Sequence, residues 1–241
     1  MPTGQLAGPL PVRDGGTPVE HAAGHHGECS EAQAGDRRAL VLVDIQNEYF
    51  NGPLEIQHPP RDQALSQILR TIEVAREAGV PIAAVQHEMP EGAPVFASGT
   101  PGWELHSDIE ATLPEGTKRI TKNYASIFDD TDALAWLKEN SVDTVTLVGF
   151  MTNNCVIGSA VGAEPLGITA EVLSDATGAI SIANEAGSVA AQQVHETLMA
   201  VLNSNLAAVA TTDAWAEAVR SGSALQGSDL GSSAMQGRSE H

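Results

Sequence analysis

Six short aliphatic runs alternate along the chain with segments of helical periodicity, and this alternation limits the possible folds more than any other feature. The runs occupy residues 39–43, 81–86, 119–121, 144–149, 170–173 and 206–210. Several are apolar at nearly every position, which is typical of strands covered by helices on both faces. The pattern predicts an α/β protein with a three-layer α/β/α doubly wound fold around a mainly parallel six-stranded sheet.

The segments between the runs carry the helical pattern. In the first of them Leu65, Ile68 and Ile72 recur at helical spacing, and Gly79 supplies a stop signal. Further helices are predicted at 132–140, 155–165 and 185–203. The connection 88–118 is long and rich in proline and glycine, and in a compact domain such a segment usually forms a pocket wall or a lid.

Two tails flank the alternating region. Residues 1–36 and 221–241 are rich in small residues and lack apolar periodicity, so both are expected to be disordered. The segment 37–220 suits a single domain. The first tail contains a small group of potential metal ligands: His21, His25, His26 and Cys29. Because this group has no second ligand pair, no specific metal role is expected for it.

The charge balance excludes two classes of partner. The 241 residues include 12 Lys plus Arg against 31 Asp plus Glu, a formal net charge of −19. Nucleic acids and anionic membrane surfaces are polyanions, so neither is an expected partner. The aliphatic runs are far shorter than the roughly 20 residues of a membrane helix. The beginning of the chain lacks a signal-peptide core, and two distant cysteines suit a reducing compartment, so a cytoplasmic location is expected.

Three reactive side chains follow three different predicted strands. Asp44 follows the first strand, Lys122 the third, and Cys155 the turn after the fourth. Because ligands bind at the carboxyl ends of parallel strands, the three are expected at one rim. A helix start could lower the pKa of the Cys155 thiol, while Asp44 accepts its proton and Lys122 holds the charges. A buried apolar cysteine, a capping aspartate and a solvated lysine are the structural alternatives, and spacing alone leaves them open.

Three segments, ALVLVDIQNEYF, RITKNYASIF and VTLVGFMTNNCVIGSA, resemble the isochorismatase-like cysteine hydrolase superfamily in this order. The family includes nicotinamidases, N-carbamoylsarcosine amidases, ureidoacrylate amidases and streptothricin hydrolases, and the resemblance spans roughly residues 38–215. It implies a catalytic triad of Asp44, Lys122 and Cys155 that acts through a thioester. It also implies a cis peptide between Met151 and Thr152, with an oxyanion hole formed by the N–H groups of Thr152 and Cys155.

The resemblance also bears on metal use and on the bond that is cleaved. Nicotinamidases are expected to carry an Asp-x-His metal motif, but Val85 stands where the Asp would be, and after His87 the next histidine is the distant His106. Neither a metal nor another cofactor is therefore expected. The retained Cys155 favours a metal-independent cysteine hydrolase of small molecules that cleaves an amide, carbamoyl or imide C–N bond. An isochorismatase-type vinyl ether hydrolase and a non-catalytic small-molecule-binding pseudoenzyme are the alternatives.

Several side chains are candidates for lining a substrate pocket. They are Gln46, Phe50, His87, Trp103, Phe128, Met151 and Asn153. Core packing is an equal alternative for each of them, and capping of the following helix is an additional one for Asn153. The expected partner is a small-molecule substrate, and the resemblance implies a homodimer or homotetramer.

Overall fold

The structure, a computed structural model, describes residues 37–241 and contains one central sheet of six parallel strands. The strands of this sheet are β1 (Arg38–Val43), β2 (Ile82–His87), β3 (Lys118–Lys122), β4 (Thr144–Phe150), β5 (Thr169–Gly178) and β8 (Ala208–Ala210). Their order across the sheet is β3-β2-β1-β4-β5-β8. The chain therefore changes its direction of winding between β1 and β4, where doubly wound sheets open a crevice for ligands.

Helices cover both faces of the sheet, which confirms the predicted three-layer α/β fold. The helices are α1 (Glu48–Asn51), α2 (Arg61–Ala78), α3 (Ser107–Thr112), α4 (Ala133–Glu139), α5 (Ile157–Ala163), α6 (Ala191–Val201), α7 (Thr212–Ser221) and α8 (Leu230–Glu240). One apolar cluster packs α2 and α7 on the sheet, with Ile68 and Trp215 fully buried. A second cluster packs α4, α5 and α6 on the other face, with Leu137 and Ala160 buried. No helix among residues 37–241 is long and apolar enough to cross a membrane.

The predicted helix over 185–203 is wrong in its first part. Residues 182–189 instead form an antiparallel hairpin of β6 (Ile182–Asn184) and β7 (Gly187–Val189), and α6 begins at Ala191. The Asn184 side chain accepts a hydrogen bond from Ala186 N–H at 2.8 Å, and Gly187 has φ 158°, a value that favours glycine. The turn residues therefore outweigh the helical pattern in this segment.

Two further segments contain helices where none was predicted. Residues 221–241, expected to be disordered, contain α8, which starts where Asp229 accepts the Ser232 N–H at 2.9 Å. No residue of α8 is buried, which explains why the segment lacks apolar periodicity. The connection 88–118 contains the short α3, whose first turn is capped by His106. The tail 1–36, with its histidines and Cys29, lies outside the described residues.

Candidate active site

The carboxyl ends of β1 and β3 and the turn after β4 bring together the three predicted side chains Asp44, Lys122 and Cys155. Asp44 follows β1, Lys122 is the last residue of β3, and Cys155 lies in a π-helical turn, Thr152–Val156, that follows β4. Lys122 Nζ lies 2.7 Å from Asp44 Oδ2 and 3.2 Å from Cys155 Sγ. All three residues are at most 2% exposed. A carboxylate, an ammonium and a thiol therefore form one buried contact group.

The ammonium of Lys122 makes the most polar contacts in this group. Besides Asp44 and Cys155, its ammonium lies 3.2 Å from His87 Nδ1 and donates to the Tyr124 carbonyl at 3.1 Å. Burial lowers the pKa of Lys122, but the neighbouring Asp44 and Cys155 outweigh burial and raise that pKa above its ordinary value. The lysine is thus a permanent cation whose three N–H bonds are shared among four acceptors.

His87 is neutral in this arrangement. Burial, and then the charge of Lys122, lower the pKa of its imidazole, although Asp44 acts in the opposite direction. Because the ammonium is a donor only, Nδ1 accepts from it and the remaining proton lies on Nε2. The structure therefore places His87 beside Lys122, with one N–H donor unused by that contact.

Cys155 is protonated at rest, which differs from the expectation of a lowered thiol pKa at a helix start. Burial, and secondly the negative charge of Asp44, raise the pKa of the thiol, and Lys122 only partly offsets them. The regular helix α5 begins two residues later, at Ile157, so Cys155 is not at an α-helix N-terminus. Within residues 37–241 no group hydrogen-bonds Asp44 Oδ1, so this oxygen is available to take the thiol proton.

The turn that carries Cys155 is attached to its surroundings at several points. The Met151 carbonyl accepts the N–H groups of Asn154 and Val156 at 3.1 and 3.2 Å. The Thr152 hydroxyl lies 3.0 Å from Nδ1 of the buried His195. The cis peptide predicted between Met151 and Thr152 is instead between Phe150 and Met151, one residue earlier.

The side-chain amide of Gln46 is engaged elsewhere, whereas no described residue hydrogen-bonds the buried indole N–H of Trp103. The Gln46 amide donates to the His87 and Trp103 carbonyls at 2.9 and 2.7 Å and accepts the His87 N–H at 2.9 Å. Gln46 therefore ties β2 to the 88–118 connection and has no free donor for a substrate. Trp103 lines a separate cavity of about 530 Å³ beside Gln86 and Arg119, and none of the triad residues lines that cavity.

The other predicted pocket residues divide between packing and the turn. Phe50 is buried, with its ring 4.3 Å from that of His106, and Phe128 packs on the α5 side of the core. Met151 also belongs to the apolar core, at the start of the turn. Asn153 lies within the turn, and no described residue hydrogen-bonds its buried Oδ1. Asn153 is thus the member of this set that has an unused polar atom beside Cys155.

Three residues near the group were missed by the sequence analysis. Tyr49, on α1, is buried, and burial, followed by the charges of Cys155 and Asp44, raises the pKa of its phenol. Phe96, from the 88–118 connection, has its ring 5.2 Å from that of Tyr49 and 5.4 Å from that of His87. The sequence signal for Tyr49 is its position only five residues after Asp44. Phe96 and His195 are far in sequence from the members of the predicted triad and carry no such local signal.

The donor set does not suit a metal ion. Ligand atoms of Asp44, His87 and Cys155 lie within 4.8 Å of one another. Lys122 Nζ, however, is within 3.2 Å of an atom of each, so an ammonium already occupies the point on which the three converge. The buried apolar Val85 supplies no ligand, and His106 Nδ1 accepts the Asp108 N–H at 3.3 Å.

Comparisons with known proteins agree with this geometry. A family model described as the isochorismatase domain matches residues 38–214. A crystal structure from Burkholderia xenovorans LB400, provisionally described as an isochorismatase, has a TM-score of 0.82 and 38% identity, and the match covers 85% of this chain and 97% of that one. The uncharacterised isochorismatase family protein YddQ of Bacillus subtilis is 32% identical over 180 residues, 73% of this chain and 97% of that protein.

Two relatives are named for a reaction. Streptothricin hydrolase of Streptomyces noursei is 30% identical over 176 residues, 73% of this chain and 60% of that protein. Maleamate amidohydrolase of Pseudomonas putida is 28% identical over 156 residues, 60% of this chain and 73% of that protein. Together with the family model and the parallel sheet that carries the buried Asp44, Lys122 and Cys155, these matches show that the chain belongs to the isochorismatase family of hydrolases.

Proposed function

We propose that this protein is a metal-independent cysteine hydrolase that cleaves the C–N bond of a small-molecule amide, carbamoyl compound or imide. The observation that carries the proposal is the contact of Lys122 Nζ with both Asp44 Oδ2 and Cys155 Sγ, all three residues being buried. A base, a fixed cation and a thiol in mutual reach are the parts that nucleophilic acyl transfer requires. Amide hydrolysis by relatives such as the maleamate amidohydrolase supports the choice of bond.

The first half-reaction forms a thioester. Asp44 accepts the Cys155 proton while the sulfur attacks the carbonyl carbon, so the neutral thiol becomes a nucleophile only as the substrate reacts. The tetrahedral intermediate collapses, its C–N bond breaks, and the proton held by Asp44 passes to the leaving nitrogen. Lys122 stays protonated throughout and balances the negative charge, which lies first on Asp44, then on the carbonyl oxygen of the tetrahedral intermediate, and returns to Asp44 when the leaving nitrogen takes the proton.

The second half-reaction regenerates the thiol. Asp44 takes a proton from a water molecule, whose oxygen attacks the thioester carbon. The C–S bond then breaks and the sulfur recovers its proton, so the overall reaction consumes one water and releases an acid and an amine or ammonia. The backbone N–H groups of Thr152 and Cys155 are the proposed oxyanion donors. The His87 Nε2–H, Asn153 Oδ1 and the Tyr49 phenol are proposed substrate contacts.

A substrate panel tests the proposal directly. Amides, carbamoyl amines, ureides and cyclic imides are scored for ammonia or amine release, with isochorismate as the competing substrate. We expect release from at least one C–N compound, loss of turnover in Cys155→Ala, and unchanged turnover in Cys29→Ala. Lys122→Met is compared with Lys118→Met, a change of the partly exposed lysine at the start of the same strand.

The covalent intermediate is a second measurement. Rapid acid quenching of a productive reaction should show an acyl mass on the peptide that contains Cys155. Activity on isochorismate with none on the C–N panel would support the ether hydrolase alternative. Substantial amide turnover by Cys155→Ala would rule out the thioester mechanism.

A further inference from the structure

A buried histidine contacts the turn that carries Cys155. His195 lies on α6, is 4% exposed, and contacts two elements through its two ring nitrogens. Nε2 lies 2.9 Å from the Ser174 carbonyl on β5, and Nδ1 lies 3.0 Å from the Thr152 hydroxyl. The imidazole thus links β5, α6 and the turn that carries Cys155.

Chemistry determines the direction of both hydrogen bonds. A carbonyl oxygen accepts only, so Nε2 carries the proton and donates it to Ser174. In the neutral ring Nδ1 is then an acceptor, and the Thr152 hydroxyl must be the donor. The ring is kept neutral because burial, and then the neighbouring His58, lower the pKa of His195 more than the Ser174 carbonyl and Glu196 raise it. The His58 ring meets it edge-on at 5.7 Å.

We propose that His195 is a positioning residue that fixes the Thr152–Val156 turn and thereby aligns Cys155 and the backbone donors for the oxyanion. The proposal rests on the function proposed above, because it assigns a role in that reaction. Thr152 has no exposed surface, so an unpartnered hydroxyl there would be costly and the turn would rearrange to satisfy it. Misplacement of reacting groups by about 1 Å can lower a rate by about 100-fold.

Three variants separate positioning from packing. His195→Leu keeps the bulk and removes both hydrogen bonds, whereas His195→Gln supplies an amide that can accept from Thr152 and donate to Ser174. Met199→Ala is the matched control for packing, since Met199 is a buried apolar residue of the same helix. Each variant is measured for melting temperature, kcat and KM on the C–N substrate found for the wild type.

We expect the loss of His195 to lower kcat much more than it changes KM. His195→Leu should lower kcat by about 10- to 100-fold with KM within about twofold, because the alignment matters in the transition state. His195→Gln should recover much of kcat, and Met199→Ala should lower the melting temperature without this loss. Thr152→Val removes the same hydrogen bond from the other side, so it should resemble His195→Leu, and the double variant should be no worse than either. If His195→Leu fails to fold, Thr152→Val and His195→Gln carry the test.

A second readout needs no substrate. Iodoacetamide alkylation of Cys155, in a Cys29→Ala background, reports how firmly the turn holds a thiol that is 2% exposed. We expect alkylation several-fold faster in His195→Leu than in the wild type or Met199→Ala. Faster alkylation with no C–N hydrolysis by the wild type would support the positioning role and reject the proposed function. Wild-type kcat and alkylation rates in His195→Leu, with only its melting temperature lowered, would reject the positioning role.

Discussion

The chemistry of the candidate site depends on two residues that act on one thiol in opposite directions. Burial is the largest cause that raises the pKa of Cys155, Asp44 raises it further, and Lys122 lowers it. The resting thiol is therefore protonated, and Asp44 is the group proposed to take its proton in the reaction. A cysteine of this kind is protected from adventitious oxidation and alkylation, since the thiolate is the reactive form.

Asp44→Asn should separate the reactivity of the thiol from turnover. Removing the carboxylate lowers the pKa of Cys155, so iodoacetamide should alkylate the thiol faster at about pH 8.5 than in the wild type. Hydrolysis of the C–N substrate should fall by about 10²- to 10⁴-fold, because no base remains to move the proton. Both rates are measured in a Cys29→Ala background.

The control for this change is Asp62→Asn, which neutralises an exposed carboxylate in the first turn of α2. Neither the alkylation rate of Cys155 nor the rate of C–N hydrolysis should change in Asp62→Asn. An unchanged alkylation rate in Asp44→Asn, or retained hydrolysis, would show that Asp44 does not govern the Cys155 proton.

At the level of the elements, the junction of β1 and β4 places the site. Val43 pairs with Gly149, and the chain then leaves β1 at Asp44 and leaves β4 towards the turn of Cys155. Gly149 has φ 112°, and a Cβ added to it would lie 2.1 Å from the Val43 carbonyl oxygen. Glycine is therefore required at this point both by conformation and by close approach.

Gly149→Ala should be severely destabilising, by more than about 4 kcal/mol or to the point of insolubility, because backbone strain and a backbone clash coincide. The control is Gly237→Ala on α8, where an added Cβ meets nothing within 4 Å. That change should stabilise the helix by up to about 1 kcal/mol. Urea unfolding monitored by circular dichroism measures both, and a Gly149→Ala midpoint equal to that of the wild type would contradict the expectation.

A buried ion pair secures the opposite end of the sheet. Arg38 on β1 donates through Nε and Nη2 to Glu171 on β5 at 3.0 and 2.9 Å, and Nη2 also reaches the Ser223 carbonyl at 2.7 Å. Thr146 on β4 donates to Glu171 Oε2 at 2.7 Å and accepts from the Trp215 indole at 2.9 Å. The pair thus joins three strands, α7 and the segment after it.

Glu171→Ala should cost about 3–5 kcal/mol, since it leaves the Arg38 guanidinium buried without a counterion. For a domain of this size, each kcal/mol corresponds to about 2–4 °C in melting temperature. Glu110→Ala is the matched control, because its bidentate pair with Arg119 is exposed and should contribute about 1 kcal/mol or less. Equal melting temperatures of the two variants would contradict a buried, uncompensated charge.

For the whole molecule, the buried His195 and the half-buried His87 predict acid sensitivity. Burial lowers the pKa of both His87 and His195, so both stay neutral in the folded chain below the pH at which unfolded histidines take up protons. The unfolded state then binds more protons than the folded one as pH falls below about 6.5, and stability decreases.

The melting temperature should therefore fall as the pH is lowered from about 7.5 to about 5.5. Replacing His195 by Gln should flatten this dependence, because one of the two groups no longer titrates. Differential scanning fluorimetry at constant ionic strength measures how the melting temperature depends on pH. A melting temperature that rises as the pH is lowered would contradict the lowered pKa values of the two histidines.

The homodimer or homotetramer implied by the resemblance stays a prediction, which light scattering can test against the 25.1 kDa chain mass.

Patterns in the amino-acid sequence predicted a mainly parallel six-stranded sheet, the α/β layering and a shared rim for Asp44, Lys122 and Cys155. These follow from apolar periodicity and from short motifs at strand ends, which are local properties of the chain. The hairpin at 182–189 and helix α8 were missed, because the signals that specify them are single turn and capping residues within otherwise weak patterns.

The contacts among these residues and their burial depend on the tertiary structure. Lys122 shares its ammonium between Asp44 and Cys155 because sheet register brings together strand ends that are far apart in sequence. The contact of His195 with Thr152 spans 43 residues, and that of Gln46 with His87 spans 41. Burial, which reverses the expected shift in the thiol pKa, is also a property of the packed molecule. Such contacts and the exclusion of water arise from the whole fold, so local sequence patterns do not encode them.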